Sequence, residues 1–264
     1  MFEARDHTFA ICAYGESPYL QECIESLVAQ SITSNIIMAT STPNTYLEEL
    51  AQRYKIPLYV NQASAGIASD WNFAYDQAKS KLVTIAHQDD IYHCNYTSSV
   101  LTRINEAMNP LIFFTNYGEL RNNERVEKNR LLTIKRALLK PLEVKSRQNS
   151  IFWRRRVLSL GAAICCPSVT MVKQALPNPL FREGFKTNLD WDAWERLSLL
   201  KGSFVYDSNI LMYHRIHEES TTTKLIEDKT RNAEDESLFL RFWPRPIAKL
   251  INIVYAQSQN SNTL

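Results

Sequence analysis

The first 115 residues predict an α/β fold: a mostly parallel central sheet flanked by helices. Two observations carry this reading. Short apolar runs alternate with amphipathic stretches, and the apolar runs are too continuous for strands with one face in water. "TFAICAY" (8–14) is the first strand. "SPYLQECIESLVAQS" (17–31) is the first helix, with Ser17 as N-cap, Pro18 at the first helical position and Leu20, Cys23, Ile24, Leu27 and Val28 at helical spacing. "NIIMAT" (35–40) is the second strand and "TPNTYLEELAQRY" (42–54) the second helix. "IPLYVN" (56–61), "SDWNFAYDQAKS" (69–80) and "KLVTIAH" (81–87) continue the alternation, followed by "NYTSSVLTRINEAM" (95–108) and the strand "PLIFFTNY" (110–117). From about 116 to 160 the chain is basic and its periodicity fades, with short helices at "LLTIKRALL" and "SIFWRRRVLSL". "GAAICCPSVTMVKQAL" (161–176) is expected to be a strand leading into a helix capped by Ser168. "NLDWDAWERLSLLKG" (188–202) is a helix ending at Gly202, and "SFVYD" a strand. The last fifty residues are expected to be helical, in "EDKTRNAEDESLFLRFW" (227–243) and "PRPIAKLINIVYAQS" (244–258).

Composition narrows the class. The 264 residues are 45% hydrophobic and 11% aromatic, enough for a substantial core and against disorder. No apolar run approaches the ~20 residues of a membrane-spanning helix. The first residues lack the charged-then-apolar order of a signal peptide, so a cytoplasmic setting is expected. The five cysteines (12, 23, 94, 165, 166) have no CxxC spacing and are expected to be reduced structural thiols. Net charge is only +2, but from Arg121 to Arg156 twelve Lys/Arg stand against three Asp/Glu. That stretch is either a solvated helical face or a basic patch for anionic head groups or phosphate. No nucleic-acid partner is expected.

Three clusters could carry chemistry. Asp89 and Asp90 follow the apolar strand ending at His87, at the carboxyl end of a strand where open α/β sheets bind ligands. Adjacent carboxylates there are tolerable if a divalent cation neutralises them, and oxygen ligands suit Mg²⁺ or Mn²⁺; the plainer alternative is a turn or helix cap. In "LDWDAWERL", Asp190 is either a functional carboxylate or a helix cap, and its flanking tryptophans suit a sugar ring or simple packing. In "MYHRIHEESTTT", His217 is a candidate metal ligand and Arg215 a phosphate contact, against the alternative of a surface histidine. After the first strand, "AYGESPY" is neither GxGxxG nor GxxxxGK, which argues against dehydrogenase and P-loop chemistry.

In order and spacing, "IAHQDDIY" (85–92), "LDWDAWERL" (189–197) and "RIHEES" (215–220) resemble the family 2 glycosyltransferases of the GT-A fold. "YGESPYLQECIESLVAQS" is similar to that family's "YNxxxYLxxCIxSLLxQT", and "GIASDWNFAYDQAKS" to its "GxxxARNxGLxxAxG", with Gly66 and Asn72 in register. The resemblance covers roughly residues 8–220. It implies a GT-A domain over 1–220, with a nucleotide-sugar half to about 115 and an acceptor half from 116 to 220. A C-terminal helical extension would follow over 221–264. It implies an inverting transfer from a nucleotide-diphosphate donor, a UDP-sugar first, to a glycan or lipid-linked saccharide in cell-surface polysaccharide synthesis. By the same resemblance Asp190 is the general base, and Asp90 with His217 holds Mn²⁺ or Mg²⁺ at the diphosphate. Asp89 supports the ribose or metal shell, and Tyr14, Asn72 and Arg215 contact the nucleotide.

The sequence also departs from that pattern. "ATSTPN" (39–44) stands where the family has "DDGSTD", His87 replaces the first aspartate of "DxDD", and Trp71 replaces the arginine before Asn72. Two rival readings are a sugar nucleotidyltransferase, which would need a glycine-rich basic loop after strand one, and a catalytically silent glycan-binding scaffold. The basic stretch and the amphipathic tail suit peripheral contact with the inner membrane face, or, for the tail, packing on the domain or a second subunit.

Overall fold

The computed structural model describes residues 1–63, 66–217 and 230–259. Glu218, Glu219 and Ser220 of the "RIHEES" segment, the 220/221 division and the expected helix start at 227 lie outside the described residues. The strands are β1 (His7–Ala13), β2 (Asn35–Thr40), β3 (Leu58–Val60), β4 (Leu82–His87), β5 (Ile91–Tyr92), β6 (Pro110–Arg121), β7 (Glu124–Val126), β8 (Val169–Val172) and β9 (Ser203–Ile216). They form one sheet in the order β3-β2-β1-β4-β8-β6-β9-β5, with β7 added to β6. β1 pairs in parallel with β2 and β4, β2 with β3, and β6 with β9, whereas β8 is antiparallel to both β4 and β6. The sheet is therefore mostly parallel, as its continuous apolar strands predict.

Helices cover both faces. α1 (Leu20–Val28), α2 (Thr45–Tyr54) and α4 (Tyr96–Glu106) pack on the face to which Phe9, Ile11 and Met38 point. α3 (Ile67–Gln77), α7 (Ile151–Leu158) and α8 (Leu189–Ser198) pack on the face of Ala10, Ile37 and Val83, reversing at each residue as a strand must. Between them lie α5 (Arg130–Leu139) and the single turn α6 (Lys145–Gln148). The C-terminal α9 (Thr230–Phe239) and α10 (Arg245–Gln259) dock on α8, where the Trp191 ring meets Phe239 and Tyr255. Trp191 and Trp194 are both fully buried, which settles their role as packing rather than a sugar platform. Among the described residues no helix is long and apolar enough to cross a membrane.

Four local expectations change. Within 161–176 the strand is "VTMV" after a short 3₁₀ turn at Cys166–Ser168, not the run before it. The β-branched residues of that segment take the strand, and Pro167, which lacks an N–H for the ladder, sits in the turn. Ser17 does not cap α1, which starts at Leu20; its hydroxyl donates instead to Asp89. The aperiodic region after 116 hides a hairpin: β6 turns at Asn122 and Asn123, with φ of 49° and 64°, into β7. Adjacent asparagines tolerate the left-handed conformation a tight hairpin requires. Finally, the basic stretch is divided by the fold. Arg121, Lys145 and Arg155 pair with Glu119, Glu106 and Glu195, and Arg154 is buried against the Leu200 carbonyl.

Gly202 is the hinge that aims β9. Its φ is +142°, and a Cβ there would meet the Asn109 carbonyl oxygen at 2.5 Å, the same oxygen that accepts the Ser203 N–H at 2.9 Å. Gly202→Ala is expected to lower stability by about 1–3 kcal/mol, through strain of a kind only glycine avoids. Urea unfolding measures it; an unchanged midpoint would show that the turn relaxes freely.

Candidate active site

The site begins where β4 stops. After His87 the chain turns tightly, Asp90 N–H donating to the His87 carbonyl at 3.2 Å, and enters the two-residue strand β5. β5 pairs antiparallel with β9, Ile91 opposite Tyr213 and Tyr92 opposite Met212. That pairing lays His214 and Arg215 beside the two aspartates, from more than a hundred residues away.

Asp90 is completely buried. Its Oδ1 accepts from His214 Nδ1 at 2.9 Å and from the Arg215 N–H at 3.0 Å. Its Oδ2 has no hydrogen-bond partner, and His87 Nδ1 is 4.0 Å away from it. Burial on its own would raise the Asp90 carboxyl. The His214 charge and hydrogen bond, with His87 and the Arg215 N–H, outweigh burial and hold it below the usual carboxylate value. Burial would likewise lower His214, and the Asp90 carboxylate outweighs it and raises the ring. For His87 burial wins, and its pKa is lowered.

Asp89 points the other way, partly open to solvent. Ser17 Oγ donates to its Oδ1 at 2.8 Å, and His217 Nε2 lies 3.3 Å from its Oδ2. Arg215 pins this arrangement. Its Nε donates to the Asp89 carbonyl, its Nη1 to Asn123 of the hairpin turn and its Nη2 to Glu22 of α1, while its plane lies 4.2 Å from the Tyr19 ring centre. Tyr19 in turn packs on His217 at 5.1 Å. An arginine fork held on three sides is a rigid part. The structure thus brings His217 to Asp89 and gives Asp90 to His214.

The nucleotide-side candidates divide as well. Tyr14 is 64% exposed at the end of β1, and its backbone N–H and carbonyl clasp the Gln88 side-chain amide at 2.9 and 3.1 Å. Asn72 uses its amide on the backbone of Phe181, accepting at 3.0 Å and donating at 2.7 Å. It fastens α3 to the loop that leads to α8. Trp71 and His87, two departures from the family pattern, are in contact: their rings stack at 5.0 Å and 29°.

Sequence reasoning missed Asp70. It stands in the first turn of α3, its Oδ2 accepting from Ser41 Oγ at 3.0 Å and its Oδ1 from Asn61 Nδ2 at 2.9 Å. Ser41 and Asn61 follow β2 and β3, so the carboxylate lacking in "ATSTPN" arrives at those strand ends from a helix. The only sequence signal was a charged residue just before Trp71. His214 was likewise visible but unassigned.

Asp190 is the second residue of α8, half-buried, with Oδ1 accepting the Trp191 N–H at 2.8 Å. Burial pushes its carboxyl up, against the charges of Lys135 and Arg231. Burial likewise pushes the Cys165 thiol up, and the charges of Asp90 and Asp190 act in the same direction.

Among the described residues no group of three or more His, Cys, Asp or Glu side chains could hold a metal ion. Asp89 with His217 offers one oxygen and one nitrogen ligand, a pair suited to Mn²⁺ or Mg²⁺ only when a bound diphosphate and water supply the rest. Asp90, sealed and engaged with His214, is placed to support that pair rather than join it, although its unpartnered oxygen leaves an acceptor open.

A family model described as glycosyl transferase family 2 matches residues 8–161. No curated protein sequence matches significantly. Among solved structures, TarS 1–349 of S. aureus in complex with UDP-GlcNAc superposes with a TM-score of 0.63 at 15% identity, over 97% of this chain and 73% of that one. The mannosyltransferase PcManGT of Pyrobaculum calidifontis, in complex with GDP-Man and Mn²⁺, gives 0.63 at 12% identity, over 97% and 70%. Glucosyl-3-phosphoglycerate synthase of Mycobacterium tuberculosis, with Mn²⁺ and UDP-Glc, gives 0.58 at 13% identity, over 90% and 79%. At these identities the likeness is one of fold: all three share the GT-A layout.

Proposed function

The chain belongs to glycosyl transferase family 2, and from that premise we propose that it moves a sugar, with inversion, from a nucleotide-diphosphate donor to a glycan or lipid-linked saccharide. The observation that carries this reading is the Asp89–His217 pair at the carboxyl end of β4, with Asp190 at the start of α8 as a carboxyl raised by burial. Residues up to about 115 would hold the donor and 116–220 the acceptor. A UDP-sugar is the first donor to test, because two of the three structural neighbours above carry one. Cell-surface polysaccharide synthesis on the cytoplasmic side is the setting this implies.

Inverting transfer is an in-line displacement at the anomeric carbon. Asp190, its carboxyl pushed up by burial, takes the proton from the acceptor hydroxyl as that oxygen attacks. Asp89 and His217 would hold Mn²⁺ or Mg²⁺ at the donor diphosphate, while Ser17 and Arg215 keep Asp89 and its backbone in place. The ion, when bound, supplies positive charge for the departing nucleoside diphosphate. His214 keeps Asp90 ionised beneath the pair. Tyr14 would line the nucleotide pocket, while Asn72 fastens α3 to the backbone of Phe181.

On the nucleoside side, Asp70 supplies the acceptor oxygen that the "ATSTPN" segment does not, facing ribose hydroxyls or a base N–H. Asp70→Asn is expected to weaken nucleotide binding by about tenfold or more, the scale of a hydrogen bond to a charged group. Calorimetric titration with UDP and GDP checks it, and unchanged affinity for both would remove Asp70 from the pocket.

The reading as a whole is tested by thermal-shift screening of nucleotide sugars with and without Mn²⁺, since a ligand of the native state raises the melting temperature by mass action. A Mn²⁺-dependent rise with one or more donors, and slow donor hydrolysis without acceptor, are expected. No response to any donor would favour a silent scaffold.

A further inference from the structure

The last helix carries two apolar stripes where packing needs one. On α10 the inward side is Ala248, Ile251, Asn252 and Tyr255: Ala248 is fully buried, the Asn252 amide bonds Asn232, and Tyr255 packs on Trp191 and Phe239. The other side presents Ile247, Leu250, Ile253 and Val254, between 44 and 64% exposed. At 3.6 residues per turn these four fall within roughly a third of the helix circumference. A helix docked on a globular core ordinarily turns polar residues outward. Docking on α8 therefore accounts for the first stripe and leaves the second without a purpose.

The surroundings are basic. The sequence has no acidic residue after Glu236, and none between Glu143 and Glu183. Arg245 and Lys249 stand exposed on α10 itself. α7 adjoins it through Arg156, whose guanidinium lies 4.9 Å from the ring centre of Trp243, two residues before α10 starts. One turn back on that face of α7, Phe152 is exposed. None of the three cations forms an ion pair among the described residues.

The geometry points to a docking surface for an anionic lipid bilayer, with the outer stripe of α10 in the acyl boundary and Arg156, Arg245 and Lys249 among the head groups. Charge decides between this occupant and a second copy of the chain. A two-fold contact through the stripe would set Arg245 and Lys249 against a partner segment that has no acidic residue to receive them. A surface of phosphate head groups supplies what is missing. The inference is independent of the transferase reading, because it concerns a face built by α7 and α10 alone.

The test is co-sedimentation of the full chain with vesicles of phosphatidylcholine, alone and mixed with phosphatidylglycerol, at low and high salt. Binding to the mixed vesicles only, released by salt, is expected. Arg245→Gln/Lys249→Gln should weaken it by about fivefold per charge removed. Leu250→Glu/Val254→Glu should abolish it, while circular dichroism and the melting temperature stay those of the parent. Equal binding to both vesicle types, or by the variants, overturns the proposal. So does a dimer in sedimentation velocity that Leu250→Glu/Val254→Glu dissociates while no vesicle is bound.

Discussion

Asp190→Asn is expected to bind donor nucleotide as the parent does and to lose transfer by about 10²–10⁴-fold, the usual contribution of a placed general base. The amide keeps the shape of the carboxylate and can still accept the Trp191 N–H, so the start of α8 should not move. Single-turnover transfer with saturating donor measures the loss, and calorimetric titration of nucleotide measures what is retained. The pH dependence has a definite sign. Burial places the Asp190 carboxyl above its ordinary value. The acid limb of the parent's kcat profile should therefore lie above the ordinary carboxylate range, and the variant's residual rate should lack it. Stability moves oppositely. A carboxyl whose folded pKa is raised binds more protons in the native state, so it costs stability as pH rises from the unfolded towards the folded value. At neutral pH the variant should be at least as stable as the parent. Full activity in Asp190→Asn would end its assignment as base; a large fall in melting temperature would mean the residue is structural.

The second large effect is a split between two adjacent aspartates. Asp89→Ala is expected to leave the melting temperature of the free protein nearly unchanged and to abolish the Mn²⁺-dependent part of nucleotide binding. Asp90→Ala is expected to lower stability by about 1–3 kcal/mol, because it leaves the buried Arg215 N–H without its acceptor and removes the partner of His214. Urea unfolding and nucleotide titration with and without EDTA, applied to both variants, separate the roles. If Asp90→Ala folded normally and lost metal-dependent binding while Asp89→Ala kept it, the metal would belong to Asp90.

Much of the fold was legible because its signals are local. Continuous apolar strands such as "NIIMAT" and "TFAICA", and helices such as "TYLEELAQRY" with Asn44 capping, need no distant partner to be recognised. The failures share one cause. "VTMV" is a strand flanked by β4 and β6, and the two-residue β5 exists through its pairing with β9. Neither is encoded in a window of sequence. Asn122-Asn123 was a local signal overlooked inside a basic stretch.

By itself the sequence determined the layered α/β class, the strand end that bears Asp89 and Asp90, and the later helix and strand that bring Asp190, Arg215 and His217. Motif order sufficed for these because each is carried by an element that forms from its own periodicity. Only the tertiary structure decided which partner each side chain meets. The β5–β9 pairing seals Asp90 against His214 and leaves Asp89 facing His217, and α3 carries Asp70 to the ends of β2 and β3. Docking on α8 likewise decides which of α10's two apolar stripes is buried. Contacts between residues a hundred positions apart are set by strand register and helix docking, and these depend on the whole chain at once.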